Sequence, residues 1–369
     1  MAKPYTRAVM TTLRLLATLA LTSTQLGCGT AEEPHERPHP SAPLVTPHVE
    51  APLVRTDRSL MSTEYQVSVV SEDQEGAHAA MERALDEIAR LEDVLSEWRD
   101  TSRVSAINAA AGDHPVVVDD DTWAIMQAGE QTSIRTQGAY DLSWAALRGL
   151  YLFQRDHNRV PTDAEIQERL PLVNYRDIVM DAAAQTVLLR RTGMAIGTGG
   201  IAKGYALDRA TEILVESGFP NFMIFGGGQI QVHGTRGDRS WRVGIQHPRR
   251  TDYIAFLDVT NCSIATSGDY EHYFIDDEGR RWHHIIDLRT GRPAEGTMQV
   301  TVITESGLDA DAIDTGCFIM GAARCLEMLR QMPGYDAVII DSDLRVHMTE
   351  GARARLTWRT PLEDGRISL

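Results

Sequence analysis

The sequence predicts an α+β domain, and three observations predict it. Tyr65, Val67 and Val69 alternate with polar residues, as in a half-buried strand. Met81, Leu85, Ile88, Leu91 and Leu95 then recur at helical spacing with Glu and Arg on the other faces, as in a helix packed by one side. Beyond them helical and strand-like stretches alternate irregularly, with some strands joined as hairpins, which favours α+β over a doubly wound parallel sheet.

The later elements follow the same logic. A helix is expected from Ala206 to Val215, ending at Gly218, and another from Asp311 to Met332. Strands are expected around Phe222–Phe225, Trp241–Ile245, Val300–Ile303 and Ala337–Ile340. No internal repeat is visible. The 369 residues, 43% hydrophobic and 24% charged, can bury one sizeable core or two modest ones. A formal charge of −16 argues against nucleic acid as a partner, because phosphate backbones are held by Lys and Arg. Small molecules and proteins remain.

Lys3, Arg7 and Arg14 precede an apolar run from Leu15 to Leu21 that is too short for a permanent membrane span, so residues 1–28 read as a signal peptide. Leu26-Gly27-Cys28-Gly29 resembles a bacterial lipoprotein cleavage box, with Gln25 where that box usually has leucine. The expectation is an exported protein held by lipid on Cys28 at the periplasmic side; an ordinary secretory peptide, removed together with Cys28, is the alternative. Residues 29–60 are rich in Pro, His and Glu and read as a disordered linker, leaving 61–369 as the folded domain. Cys262, Cys317 and Cys325 lack paired spacing, so packing is expected of them, with no structural zinc site and no disulfide framework.

Four constellations carry chemistry. Gly197-Thr198-Gly199-Gly200-Ile201-Ala202-Lys203-Gly204 opens a helix, where clustered backbone N–H groups, the helix dipole and Lys203 suit a phosphate, although glycine-rich turns before helices are common. Thr266-Ser267-Gly268-Asp269-Tyr270 and His283-His284-Ile285-Ile286-Asp287 are expected on two arms of a hairpin turning at Asp277-Glu278-Gly279, converging on one ligand. His284 and Asp287 alone are only suggestive of acid–base chemistry. Asp311 and Thr315 stand four apart and share a helix face; that sparse oxygen pair suits magnesium, and a helix cap by Asp311 is the competing reading. Asp314 is expected to point away and lie exposed. Phe225-Gly226-Gly227-Gly228-Gln229 is a strand running into glycines, open to close approach by a flat ligand or to a tight turn.

Taken together, these residues resemble the ApbE family of FAD:protein FMN transferases from Met61 to about Gly351. The carriers are Met61-Ser62-Thr63, Leu95-Ser96-Glu97-Trp98 with Ser102 and Asn108, Gly138-Ala139-Tyr140-Asp141, the glycine-lysine loop, Gly227-Gly228, Trp241 to Pro248, Thr266 to Tyr270, His284 to Asp287, and Ala310-Asp311 with Thr315. The chain departs from the family habit at Gly197, Phe225, Gln229 and Leu288.

The resemblance implies a single mixed α/β catalytic domain of T-fold-like type. It implies Mg2+ held by Asp311, Thr315 and a backbone carbonyl, assigned to Gly200. FAD, as substrate, is implied to meet Asp141, Lys203, Thr266, Ser267, Gly268 and Asp269, with Met61, Trp98 and Tyr140 near its rings. His284 and Asp287 are implied beside the reacting phosphates. The implied acceptor is a flavoprotein subunit of a membrane redox complex, labelled on a Thr or Ser hydroxyl with release of AMP. FAD hydrolysis to FMN and AMP, and FAD binding without reaction, stand as alternatives.

Overall fold

The computed structural model describes residues 52–154, 157–359 and 361–367. Leu53–Leu60 (β1) and Thr63–Val70 (β2) pair antiparallel with Leu60 facing Thr63, which leaves only Met61 and Ser62 to turn the chain. Both adopt positive φ, 47° and 61°, as a two-residue turn between twisted strands requires. Phe222–Gly226 (β3), Gln229–His233 (β4), Cys262–Gly268 (β5), Thr297–Thr304 (β6), Asp336–Asp341 (β7) and Val346–Met348 (β8) complete an eight-stranded sheet. Spatial order follows chain order and every pairing is antiparallel. The expected α+β architecture is therefore observed.

Helices leave and rejoin this sheet on one face. Gln74–Leu95 (α1), Asp120–Arg135 (α2) and Ala202–Glu216 (α3) lie between β2 and β3, and Gly307–Met320 (α4) follows β6. Asp73 caps α1 by accepting from the Gly76 N–H at 2.9 Å, and Met81, Leu85, Ile88 and Leu91 are fully buried along its inner stripe. Truncating one of them, such as Leu85→Ala, costs about 2–5 kcal/mol in a closed core. Strand alternation splits the sheet's two faces: Ala337 and Ile339 of β7 join the core under α4, while Val338 and Ile340 join the opposite core. That opposite face is covered by a three-stranded sheet of Trp241–Gln246, Tyr253–Val259 and Leu356–Trp358.

Four expectations are corrected. The linker cannot extend to residue 60, because β1 occupies Leu53–Leu60; its Arg55, Asp57 and Arg58 are the charges of an edge strand and none of its positions is fully buried, so alternation was weak. The signal peptide, Cys28 and the linker up to residue 51 lie outside the described residues. The helix expected from Asp311 to Met332 starts earlier and breaks at Gly321, whose φ of 78° turns the chain into Ala322–Leu329. That turn brings Cys317 and Cys325 to a Cα separation of 4.9 Å, and they form a disulfide where packing alone was expected. Finally, the turn at Asp277 to Gly279 joins Tyr273–Ile275 to Arg281–His283; the Thr266 to Gly268 run belongs to β5 instead of a hairpin arm.

Candidate active site

The site lies at one end of the sheet, where the turns Met61-Ser62 and Gly227-Gly228 stand beside the end of β5 and the start of β6. Gly227 and Gly228 have φ of 56° and 91°, so the tight-turn reading of this glycine pair holds. Thr266 donates its N–H to the Gly228 carbonyl at 3.2 Å and shares a 2.9 Å hydroxyl contact with Thr301.

Helices α3 and α4 cross here backbone to backbone. A Cβ on Gly204 would lie 2.0 Å from the Gly307 carbonyl oxygen, so only glycines permit the crossing. Each helix then caps the other. Asp208 of α3 accepts from the Gly307 N–H (2.6 Å) and the Leu308 N–H (3.0 Å) at the start of α4. Asp311 of α4 accepts from the Gly204 N–H (2.9 Å) in the first turn of α3. Asp311 thus caps α3, the neighbouring helix, while Ser306 caps its own.

Asp311 is 2% exposed and also accepts from Gln229 Nε2 at 2.8 Å, with Lys203 Nζ 3.9 Å away. Lys203 donates to the Gly199 carbonyl at 2.7 Å. Thr315 Oγ1 lies 3.3 Å from Ser267 Oγ and 3.1 Å from Asp314 Oδ1. Gly200 borders Thr315 and Tyr140, since a Cβ there would meet Thr315 Oγ1 at 3.6 Å and the Tyr140 ring at 3.5 Å. The structure therefore gathers Gly200, Lys203, Ser267, Asp311, Thr315 and Tyr140, all expected from sequence.

Asp314 corrects the expectation of exposure: it is 1% exposed and belongs to this cluster. Residues three and four apart both lie within about 60° on a helix, so Asp314 and Thr315 flank the line of Asp311. Burial raises both carboxyl pKa values; Asp311 further repels Asp314, while the Lys203 ammonium and the N–H groups of α3 pull Asp311 back. Tyr65 and Tyr140, buried beside the same carboxylates, have their phenols raised first by burial and then by the Asp311 charge, so both are neutral donors. Sequence periodicity marked Tyr65 only as a strand residue.

The glycine-lysine loop does not leave its N–H groups free as a phosphate cradle. Thr198 donates to Glu97 Oε2, and Glu97 pairs with Arg148 at 2.9 Å. Asn108 clamps Ile196 from both sides, donating to its carbonyl (2.9 Å) and accepting its N–H (2.7 Å). With Glu97 at the loop and Asp311 at Gly204, protein carboxylates occupy the positive end of α3.

Other expected residues sit at the margin or serve their own loops. Met61 donates its N–H to Glu92 (3.0 Å) and its sulfur contacts the Tyr65 hydroxyl at 3.4 Å. Trp98 is 71% exposed beneath the Arg148 guanidinium, an open aromatic plate. Asp141 accepts from Ser143 and from the Tyr175 N–H at 2.7 Å, so its carboxylate is committed to a turn. Asp269 forms a two-pronged pair with Arg249 at 2.6 and 2.7 Å, a partner that sequence spacing did not single out. Gly268 is required because a Cβ would meet the Tyr270 ring at 2.5 Å.

His284 follows the hairpin, edge-on to His272 with ring centroids 5.2 Å apart. One side opens to solvent, yet the protein packed behind it withholds water, and the nearby Lys203 ammonium further disfavours a second positive charge; its pKa is lowered and the imidazole is neutral at pH 7. Asp287 is bound by Arg289 at 2.7 and 3.0 Å within its own turn. A broad open groove of about 650 Å³ lined by Arg83, Asp86, Glu87 and Arg90 carries none of these residues. Among the described residues, no three His, Cys, Asp or Glu side chains group as a metal site, so any cation here relies on hydroxyl, amide and carbonyl oxygens beside the carboxylates.

The model of the ApbE family matches residues 61–339, which hold every element of this site. The chain belongs to the ApbE family. A Treponema pallidum protein named FAD:protein FMN transferase is 35% identical over 291 residues, 74% of this chain and 80% of that protein. A Klebsiella pneumoniae protein of the same name is 31% identical over 309 residues, 83% and 94% of the two chains. Among solved structures, the ApbE protein of Thermotoga maritima superposes with a TM-score of 0.76 at 30% identity, covering 82% of this chain and 99% of that one. The flavin transferase ApbE from Vibrio cholerae gives 0.72 at 25% identity, covering 82% and 100%. As in those ApbE structures, helices and sheet form a single mixed domain.

Proposed function

We propose that this ApbE-family chain is a magnesium-dependent FAD:protein FMN transferase, moving the FMN half of FAD onto a Thr or Ser hydroxyl of a partner flavoprotein and releasing AMP. The observation that carries the reading is the oxygen cluster of buried Asp311 with half-buried Thr315 and Ser267 against the glycine-lysine loop, in a chain whose relatives are named for that transfer.

Asp311, Thr315 and the Gly200 carbonyl would hold magnesium. The donors are all oxygens, as a small hard cation takes, and Gln229 Oε1 and Asp314 Oδ2 are buried there without a hydrogen-bond partner. Once bound, the cation neutralises charge on the FAD pyrophosphate and on departing AMP. Lys203 adds a fixed positive charge beside Asp311. Thr266, Ser267 and Asp269 present oxygens along the end of β5, and Met61, Trp98 and Tyr140 supply surfaces for the rings. Gly268 keeps that strand end free of a side chain.

In the transfer, the acceptor oxygen forms a bond to the FMN phosphorus, the pyrophosphate P–O bond breaks with its electron pair going to AMP, and the hydroxyl proton goes to a base. His284, neutral and open on one side, is the base we assign. Asp287 acts by holding the turn that follows it, through Arg289. The acceptor we propose is a flavoprotein subunit of a membrane redox complex, met by an exported enzyme anchored through Cys28. The Cys317–Cys325 disulfide supports an oxidising address, and no helix among the described residues is long and apolar enough to cross a membrane.

The solvent-facing side of His284 favours a second reading, with water as acceptor and FMN as product. Purified protein given FAD and Mg2+, with and without a flavoprotein subunit stripped of covalent flavin, separates the two by AMP release. AMP that requires the acceptor and disappears in Asp311→Ala supports transfer. Equal AMP release without acceptor overturns it in favour of hydrolysis, and intact FAD throughout overturns both.

A further inference from the structure

Asp314 is not among the three ligands assigned above, Asp311, Thr315 and the Gly200 carbonyl. It is 1% exposed; Oδ1 accepts from Thr315 Oγ1 at 3.1 Å, and Oδ2 has no hydrogen-bond partner. A buried carboxylate oxygen left unpaired is costly, and another carboxylate close by makes it more so. The cation at hand, Lys203, directs Nζ to the Gly199 carbonyl and stands 3.9 Å from Asp311, so two buried carboxylates face a single ammonium. A second observation comes from the sheet. Gln229, 3% exposed, donates Nε2 to Asp311 and leaves Oε1 buried without a partner. Two unpartnered oxygens, one on the helix and one on the sheet, thus border Asp311.

We infer that Asp314 is a further ligand of the divalent cation, so that the site holds its metal with two carboxylates, the Thr315 hydroxyl and the Gly200 carbonyl, while Gln229 Oε1 accepts a hydrogen bond from a metal-bound water. The inference rests on the magnesium reading of this cluster. A hard divalent cation answers the whole pattern: it neutralises the pair, uses the free oxygen of Asp314 and brings a water donor to Gln229. Two carboxylates also predict that the site binds metal before FAD arrives, without needing substrate phosphates to complete it.

The test is a Mn2+ titration of the full chain without FAD, read by the loss of free-ion electron paramagnetic resonance signal, for wild type, Asp311→Asn, Asp314→Asn and Asp314→Ser. Wild type should bind one ion, and both Asp314 variants should weaken it by roughly tenfold or more. Without metal, Asp314→Asn should melt above wild type, because it removes buried like-charge repulsion, and Mn2+ should raise its melting temperature less. Wild-type affinity in both Asp314 variants with weakened binding in Asp311→Asn overturns this inference and leaves the magnesium reading standing. Absence of Mn2+ binding by wild type overturns both.

Discussion

Gly204→Ala tests whether the crossing of α3 and α4 builds the site. The added methyl would lie 2.0 Å from the Gly307 carbonyl oxygen and 2.8 Å from Asp311 Cβ. Carbon and oxygen approach comfortably only to about 3.3 Å, so the helices must part by roughly 1.3 Å. Overpacking costs about 1–3 kcal/mol; because the carbonyl that must yield is backbone, the upper end applies, equivalent to a fall of about 4–5 °C in Tm for a domain of this size. Parting the helices also lengthens the Gly204 N–H to Asp311 bond, so Mn2+ affinity should fall with stability. Gly199→Ala in the same loop is the control: nothing lies within 4 Å of its added methyl. It should stay within about 0.5 kcal/mol of wild type. Urea unfolding followed by circular dichroism measures both. A Gly204→Ala protein as stable as the Gly199→Ala control would refute the argument that backbone contact fixes Asp311.

Three further outcomes are expected. Glu97→Gln weakens the acceptor for the Thr198 N–H and unpairs Arg148, so stability should drop by about 1–3 kcal/mol and FAD affinity should fall more than kcat; an unchanged FAD titration counts against the loop's dependence on Glu97. Removing the Cys317–Cys325 link by Cys317→Ala/Cys325→Ala should cost about 2.5 kcal/mol in urea, and wild type should take up two extra alkyl groups on unfolding only when reductant is present. His283 and His284 both have lowered pKa values, chiefly because burial disfavours the imidazolium. The unfolded chain therefore binds protons first, and the stability these two contribute is present above about pH 6.5 and lost as pH falls below it. The raised carboxyls Asp311 and Asp314 act in the opposite sense, so the measurement is a difference: His283→Gln/His284→Gln should lose less Tm than wild type between about pH 7 and about pH 5, and an identical loss contradicts the assignment.

Long periodic elements were legible from sequence because their side chains repeat a burial pattern: the α1 stripe, the alternation of β2 and the strands Val300–Ile303 and Ala337–Ile340 all lie where residue spacing put them. Edge strand β1 was not, since its charges imitate a linker. The pairing of Asp311 with Thr315 on one helix face could be read from a spacing of four, but the same rule applied to a spacing of three would have brought in Asp314. The partners of Glu97, Gln229 and Arg249 escaped for a different reason. Each acts on a partner distant in sequence, Thr198, Asp311 and Asp269, and only strand register and the crossing of α3 with α4 bring them together. Cys317 and Cys325 escaped because the turn at Gly321, not their spacing, decides their distance.

The central claim is that this ApbE-family chain forms a phosphoester between FMN and a protein hydroxyl. Intact mass spectrometry of the acceptor subunit after incubation with FAD, Mg2+ and the enzyme tests it most directly. The account predicts a gain equal to one FMN less one water, lost with Asp311→Ala or with a chelator. A gain that persists in Asp311→Ala would contradict the role given to the oxygen cluster, and an acceptor of unchanged mass while FAD is consumed would contradict the transfer itself.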